Sequence, residues 1–496
     1  MNIDRSTPEA TGTFLGMRTV VAICVLAVSL PFLFAPFPPS TDLPQHVAQI
    51  RMAHDVLSGR SPELFIAWLA PNNLIYALLG LLSAVLSPVL AARVGLWIVA
   101  LAWALASLVL AIKRKRSPVL GLLAGVLAFQ ACLYWGSINF MIGWPVFVAW
   151  MHLTGESSQS VQTWRRGVIM AAVAVLLYGA HILWFVMGAA WLIVVGIATR
   201  APLRFWLLRM ASTAPGVLLA ALWYPKFAET RSMFRTGAEW TTLPWQRLHP
   251  IRLSEILMGG QAGPGPAATG GVLALWILVV LVTRWGDLRQ HSDRLLLYAA
   301  ALFALIVMFA PDKYMNTILF AQRWAPCAVA LLLVGLPQPR LTLCSGIVIL
   351  LLGIACTTNC LAWHSFTTEE MTGFQEALDA TPSNARVLEL DTLHESEIVG
   401  GHPFMQMMGY LQAEKGGTLN FSFAEHGSSL VSYKSPRELE WTPGLEWYSE
   451  RVKKEDLRHF DVVLMNAKPE VHQWFSSAVP VTPRTTTGRW RLYAVR

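Results

Sequence analysis

The chain is poor in charge. Asp, Glu, Lys and Arg make up only 14% of its 496 residues, against 54% hydrophobic residues. Soluble proteins carry about 25% charged residues, so a water-soluble globule of this length is excluded. Cysteine is scarce as well. Cys24, Cys132, Cys327, Cys344, Cys356 and Cys360 all lie in or beside apolar runs, and none follows Cys360. No disulfide frame therefore holds the C-terminal part together. Walker-type loops, G-x-S-x-G and H-E-x-x-H are missing, which removes P-loop, nucleophile-elbow and zincin chemistry. A net charge of +8 is spread over the ends of apolar runs and not massed on one patch. That distribution argues against a nucleic-acid partner.

What is present is a series of apolar runs, at 17–36, 72–112, 117–138, 140–154, 167–181, 182–199, 205–223, 270–284, 294–310, 325–337 and 341–361. A bilayer asks for about 20 apolar residues per helix, and in lipid the backbone must satisfy its own hydrogen bonds. The chain therefore reads as a mainly α, polytopic bundle of about 11–13 helices, following a polar tail at 1–16. Lys113–Arg116, Arg165–Arg166, Arg200–Arg209, Arg284–Arg294 and Arg340 mark cytoplasmic loops by the positive-inside rule. The opposite side then holds the loops 37–71 and 224–269, the turn "GSINFMIG" (136–143) and everything after Trp363. One conflict arises. Two crossings within 72–112 put Lys113–Arg116 on the wrong side, so either one of those helices is re-entrant or interfacial or the rule fails locally.

From about residue 364 acids appear and apolar runs shrink to strand length. "ARVLELD" (385–391), "FDVVLMNA" (460–467) and "RWRLYAVR" (489–496) read as short strands beside the helical "EEMTGFQEALDAT". Residues 364–496 are thus a small soluble α/β domain, and 17–363 form the membrane part.

The loop after the first run draws attention. In "DLPQHVAQIRMAHDVLSG", Asp42 precedes a helix in which Val47, Ile50, Met52, Val56 and Leu57 form an apolar side. Asp42 reads as its N-cap, and an amphipathic helix at a membrane exit ordinarily lies in the interface. His46 lies one turn on, and Arg51 further along. His181 in "LLYGAHILWF" is ionisable at membrane depth, a setting in which such groups face cavities or sites. Asn139 lies between two apolar helices. Lys313 and Arg323 in "PDKYMNTILFAQRWAP" (311–326) are basic at an outer edge, against the positive-inside trend, which points to a phosphate. One Asp near two His makes no metal cluster, and no metal site is assigned.

These motifs resemble the GT-C superfamily of integral-membrane glycosyltransferases. "DLPQHVAQI" is similar to the DLPxHxxxI of bacterial members, "WGSINFMIGWP" (135–145) to GFxNFxxGxPL, and "RWAP" (323–326) to a late helix start whose Arg sits near the donor phosphate. "APNNLIYALLGLL" (70–82) and "ALDATPSNARVLELD" (377–391) extend the likeness along the chain. An Asp-Glu pair in the first loop and a WWDYG-like motif are absent, so the resemblance does not single out a peptide or a lipid A acceptor.

The resemblance implies transfer of a sugar from a polyprenyl-phosphate carrier to a glycan, lipid or protein acceptor on the extracytoplasmic face of a bacterial plasma membrane, with inversion expected. In that scheme Asp42 is the general base. His46, Arg51, Asn139, His181, Lys313 and Arg323 contact substrate. The lipid-linked sugar is a substrate, so no cofactor is implied, and a divalent metal is left open. Membrane lipids complete the partners. Two other classes remain in view: a transporter or flippase of lipid-linked glycans, which ordinarily shows paired halves, and a non-catalytic membrane scaffold.

Overall fold

The computed structural model describes residues 16–155, 164–230, 237–260, 265–315, 317–339, 344–425, 429–435 and 437–496. The N-terminal tail, bar Gly16, and Arg340 lie outside them. The architecture is the expected one, a bundle of apolar helices followed by a small mixed α/β part.

Four helical stretches among the described residues are long and apolar enough to cross a membrane: Pro88–Lys113, Pro118–Trp135, Gly265–His291 and Ser345–Glu370. Shorter apolar helices accompany them, including Met17–Leu33, Ile182–Ala198 and Arg294–Phe309. The first, α1 (Met17–Ser29), buries Val20, Cys24 and Val28, one residue per turn, and passes into a 3₁₀ turn at Pro31. The loop helix α2 (Leu43–Leu57) follows. The run 72–112 then splits at "LSPV". Helix α3 (Asn73–Ser83) stops, Ser87 accepts from Leu90 N–H at 3.4 Å, and α4 (Pro88–Lys113) begins with proline in its first turn.

At 1.5 Å per residue α3 is about 16 Å long, roughly half the hydrocarbon thickness. Of the two, only α4 is long and apolar enough to cross a membrane. One crossing in place of two removes the conflict between this stretch and the charge rule. The run 205–223 is likewise divided, into Leu203–Ala211 and Ala214–Thr230.

Aromatic rings fill the centre of the bundle. Trp103 stacks on Trp144 at 5.0 Å and Phe303 on Trp324 at 5.2 Å. Buried indole N–H groups usually find a partner: Trp144 donates to Ser107 Oγ and Trp184 to the Phe140 carbonyl, while that of Trp103 has none among the described residues. Facing the loop after residue 237, Arg247 and Asp312 form an ion pair at 2.9 Å whose side chains are 2% and 8% exposed. Asp312 also accepts from Thr241 N, Thr242 N and Thr242 Oγ1. Arg247 caps the carbonyls of Val307, Met308 and Ala310 at the end of the helix Arg294–Phe309. Removing one member of such a pair leaves a buried charge unpaired. Asp312→Asn should therefore destabilise by about 3–5 kcal/mol, read as a lower melting temperature in detergent.

The C-terminal part carries a five-stranded sheet in the order Thr418–Leu419, Arg386–Asp391, Val462–Asn466, Trp490–Val495, Val481–Pro483. The first three strands are parallel and the last two join antiparallel. All three strands expected from sequence are present. This part also clamps the first loop. Leu64–Ile66 pairs antiparallel with Val431–Tyr433, and α2 packs along the helix Met408–Lys415.

The placement of α2 corrects the interfacial reading. Its first turns do not turn their polar side to solvent, because Gln45 and Gln49 are fully buried, and only further on is His54 exposed. Gln45 bonds the Phe421 carbonyl and the Phe423 N–H, and Gln49 accepts from Val431 N–H at 2.7 Å. The apolar side meets the bundle and the polar side satisfies loop backbone of the C-terminal part. Both faces are used.

Candidate active site

Asp42 is held from behind by the turn at 133–136. Ser40 Oγ donates to the Leu133 carbonyl, Thr41 N–H to that of Tyr134 and Asp42 N–H to that of Trp135, at 2.7, 2.9 and 3.2 Å. So close an approach requires glycine at 136, where φ is +86° and a Cβ would lie 2.4 Å from Asp42 N. Gly136→Ala adds a left-handed backbone cost of about 1–2 kcal/mol to an overpacking cost of about 1–3 kcal/mol. It should lower the melting temperature clearly, while Gly353→Ala, with open space around its Cβ, should not.

Asp42 occupies the N-cap position of α2, yet its side chain makes no capping bond. Two local facts explain this. Its backbone is helical (φ −88°, ψ −8°) and not extended, and Pro44, at the second helical position, has no N–H to donate. The capping role is therefore withdrawn. The carboxylate accepts from Gln406 Nε2 at 3.1 Å instead. Burial raises its pKa to about 7, and the positive charge of Arg323 pulls the other way. Part of the residue remains accessible.

Arg323 is itself buried, in the 3₁₀ turn Gln322–Trp324 that opens the helix Ala325–Gly335. Its Nε and Nη2 donate to the carbonyls of Leu319 and Ile318 at 3.1 and 2.7 Å. Nη1 has no hydrogen-bond partner among the described residues. The guanidinium lies 5.2 Å from the Phe140 ring centroid, and His181 meets the same ring edge-on at 5.8 Å. His181 Nδ1 accepts from Leu183 N–H, capping the next helix. In the neutral ring Nε2 then carries the proton, and it has no partner among the described residues. Asn139, half-buried beside Phe140, turns its Oδ1 to the Phe140 N–H. Arg323, His181 and Asn139 thus gather round Phe140, and the charge of Arg323 reaches Asp42.

His46 is buried below Asp42, and both ring nitrogens are engaged. Nε2 lies 3.2 Å from the Gly136 carbonyl and must donate to it, so Nδ1 accepts from Tyr76 OH at 3.0 Å. Burial lowers its pKa to about 4, so the ring is neutral. It ties the Gly136 turn to α2. Arg51 lies away from this group, paired with Asp55 at 3.2 Å, and Asp55 in turn holds Arg60. Lys313 lies on a two-residue strand opposite Glu239, and its side chain makes no hydrogen bond or ion pair with the Asp42–Arg323 group. Of the 224–269 loop, Arg231 and Arg235 lie outside the described residues, as does Asn316 in the 311–326 segment.

A cavity of about 770 Å³ runs between α2, α3 and the helix Met408–Lys415. Its lining is mostly apolar, including Val47, Ile50, Leu57, Ala77 and Ala413, with Arg51 and Tyr76 among the polar groups. Tyr76 joins it to the His46 contact. Asp42 is not in its lining.

Sequence reasoning missed Gln406, which is uncharged and belongs to no motif. It also missed Glu389, a buried carboxyl whose pKa burial pushes well above the usual range.

No family model and no curated protein matches the sequence. Solved structures give a likeness in three dimensions. ArnT from Cupriavidus metallidurans bound to undecaprenyl phosphate superposes with a TM-score of 0.53 at 11% identity, over 97% of this chain and 98% of that one. The fold is similar to that of ArnT. The apo form of ArnT gives a TM-score of 0.44 at 12% identity over 96% and 97% of the two chains. The first superposition takes in the bundle and the C-terminal part together, so the architecture described above is shared along nearly the whole length of ArnT.

Proposed function

We propose that this chain is a membrane glycosyltransferase that moves a sugar from a polyprenyl-phosphate carrier to an acceptor hydroxyl on the extracytoplasmic face, where its C-terminal part also lies. The observation that carries the reading is a poised carboxylate, freed from helix capping, in the field of a buried arginine whose Nη1 makes no hydrogen bond among the described residues. The likeness to ArnT, solved with undecaprenyl phosphate bound, supports a lipid-phosphate donor.

In the reaction the acceptor O–H gives its proton to Asp42 as its oxygen bonds to C1 of the sugar. The C1–O bond to the phosphate breaks, and its electron pair leaves with the lipid phosphate. Asp42 supplies general-base catalysis. Arg323 meets the charge that grows on the departing phosphate. His181 Nε2–H and the Asn139 amide, both next to Phe140, are further donors. Back-side attack gives inversion, as a single general base implies.

The test is a comparison of lipid-linked sugars and surface glycans in a strain with and without this protein. Loss should leave one polyprenyl-phosphate sugar in excess and one sugar missing from an extracytoplasmic glycan. An unchanged profile of both would remove the reading.

A further inference from the structure

Three features distant in sequence converge on one contact between the C-terminal part and Asp42. The first is an absent side chain. At Gly409, in the first turn of the helix Met408–Lys415, a Cβ would lie 2.5 Å from the Pro44 carbonyl carbon and 2.8 Å from Gln45 N. Only glycine lets this helix reach the first turn of α2. The second is Glu389, 1% exposed, whose carboxyl oxygens accept the backbone N–H groups of Met407 and Met408 at 3.2 and 3.4 Å. A buried acid is costly unless it is hydrogen-bonded, and these bonds fix the two residues that follow Gln406. The third is Gln406 itself, 4% exposed. Its Nε2 donates to Asp42 Oδ1 at 3.1 Å, while its Oε1 is buried without a hydrogen-bond partner among the described residues. Native proteins rarely leave such an acceptor unpaired without a reason.

We propose that Gln406 is a positioning residue for Asp42, delivered by the C-terminal part, that holds the carboxyl group both before and after proton transfer. This rests on the reading of Asp42 as the base. Before transfer, Nε2–H donates to Oδ1, which orients the carboxylate and leaves Oδ2 for the acceptor hydroxyl. Afterwards Asp42 carries the proton and its O–H needs an acceptor. With the carboxyl turned about its Cβ–Cγ bond, a half-turn of the Gln406 amide presents Oε1 to that O–H. Because Oε1 has no other partner among the described residues, the half-turn breaks no additional bond there. The unpaired acceptor is thereby explained as the half of the amide that serves the protonated state. The soluble part is then no mere cover, since the site is incomplete without it.

The experiment is an infrared pH titration of the full chain in lipid nanodiscs with no substrate added. The protonated-carboxyl band of Asp42 is assigned by its loss in Asp42→Asn, and the amide C=O band of Gln406 by its loss in Gln406→Leu. In the wild type the amide band should fall in frequency in step with protonation of Asp42, and stay fixed in Asp42→Asn. Gln406→Leu removes a charge-assisted bond to the carboxylate and should raise the Asp42 midpoint by about one pH unit. Gln406→Glu, close in shape, places a second carboxyl there and should raise it further, since two close carboxylates resist ionising together. Gly409→Ala keeps the glutamine but displaces its helix, and should reproduce the leucine result. An unmoved midpoint in the three Gln406 and Gly409 variants, or an amide band indifferent to pH, overturns the proposal. If these shifts appear while Asp42→Asn still transfers sugar, the base reading falls and the coupling stands. If Asp42→Asn is inactive and the shifts are absent, only the role of Gln406 falls.

Discussion

Asp42→Asn should reduce sugar transfer by about 10²- to 10⁴-fold, the range general-base catalysis contributes, without loss of folded protein. The substitution is nearly isosteric, and asparagine Oδ1 still accepts from Gln406 Nε2. No capping bond is lost, because Asp42 makes none. The backbone bonds of residues 41 and 42 to the 134–135 carbonyls are untouched. What disappears is the capacity to take a proton.

The pH dependence separates that role from a structural one. Burial raises Asp42 to a pKa of about 7, so the base form is lost as pH falls below 7, and the wild-type rate should climb through that region. Stability runs the other way. The folded state binds this proton more tightly than the unfolded chain, whose carboxyl titrates near the ordinary aspartate value of about 4. The contribution of Asp42 to stability is therefore fully present below about pH 4 and is lost as pH rises through 7. Asp42→Asn should melt no lower than wild type at pH 8 while being inactive there. A variant that loses activity and stability together at pH 8 would make Asp42 structural.

Much of this was legible in the sequence, and the reasons differ by element. The strands near 386–391, 462–466 and 490–495 show in their own apolar residues, since burial on a sheet leaves a local pattern. Asp42 and Arg323 stand out because charge is rare in this chain and each sits at an apolar boundary. The break at "LSPV" was also readable, as a serine cap with proline in the first turn, but run length alone suggested two crossings where α3 is too short for one. Helix α2 was misplaced because an apolar side at a membrane exit reads as interfacial, and nothing local shows that Gln45 and Gln49 are buried. Their partners are backbone groups of Phe421, Phe423 and Val431, more than 370 positions away, and periodicity carries nothing about them. Gln406 and Gly409 were invisible for the same reason. An uncharged amide and a glycine acquire meaning only once α2 lies against them.

Arg323 should prove as costly to remove, and in two separable ways. Arg323→Met takes away the donor that faces the departing phosphate, a loss of about 10²–10³ in rate by analogy with other groups that stabilise developing charge, and it weakens binding of the lipid donor. It also removes the positive charge that holds the Asp42 carboxyl down. The Asp42 midpoint should then move above 7, and the residual activity should shift its rising limb to more alkaline pH. Arg323→Lys divides the two effects. The ammonium keeps the charge, so the pH limb should stay near its wild-type position. It cannot reproduce the fork that holds the Leu319 and Ile318 carbonyls while presenting another N–H, so the rate should still fall. Steady-state transfer measured from pH 5.5 to 9 on wild type and both variants reads this directly. A methionine variant whose limb stays at the wild-type pH would show that Arg323 does not act on Asp42, and the two residues would no longer form one site.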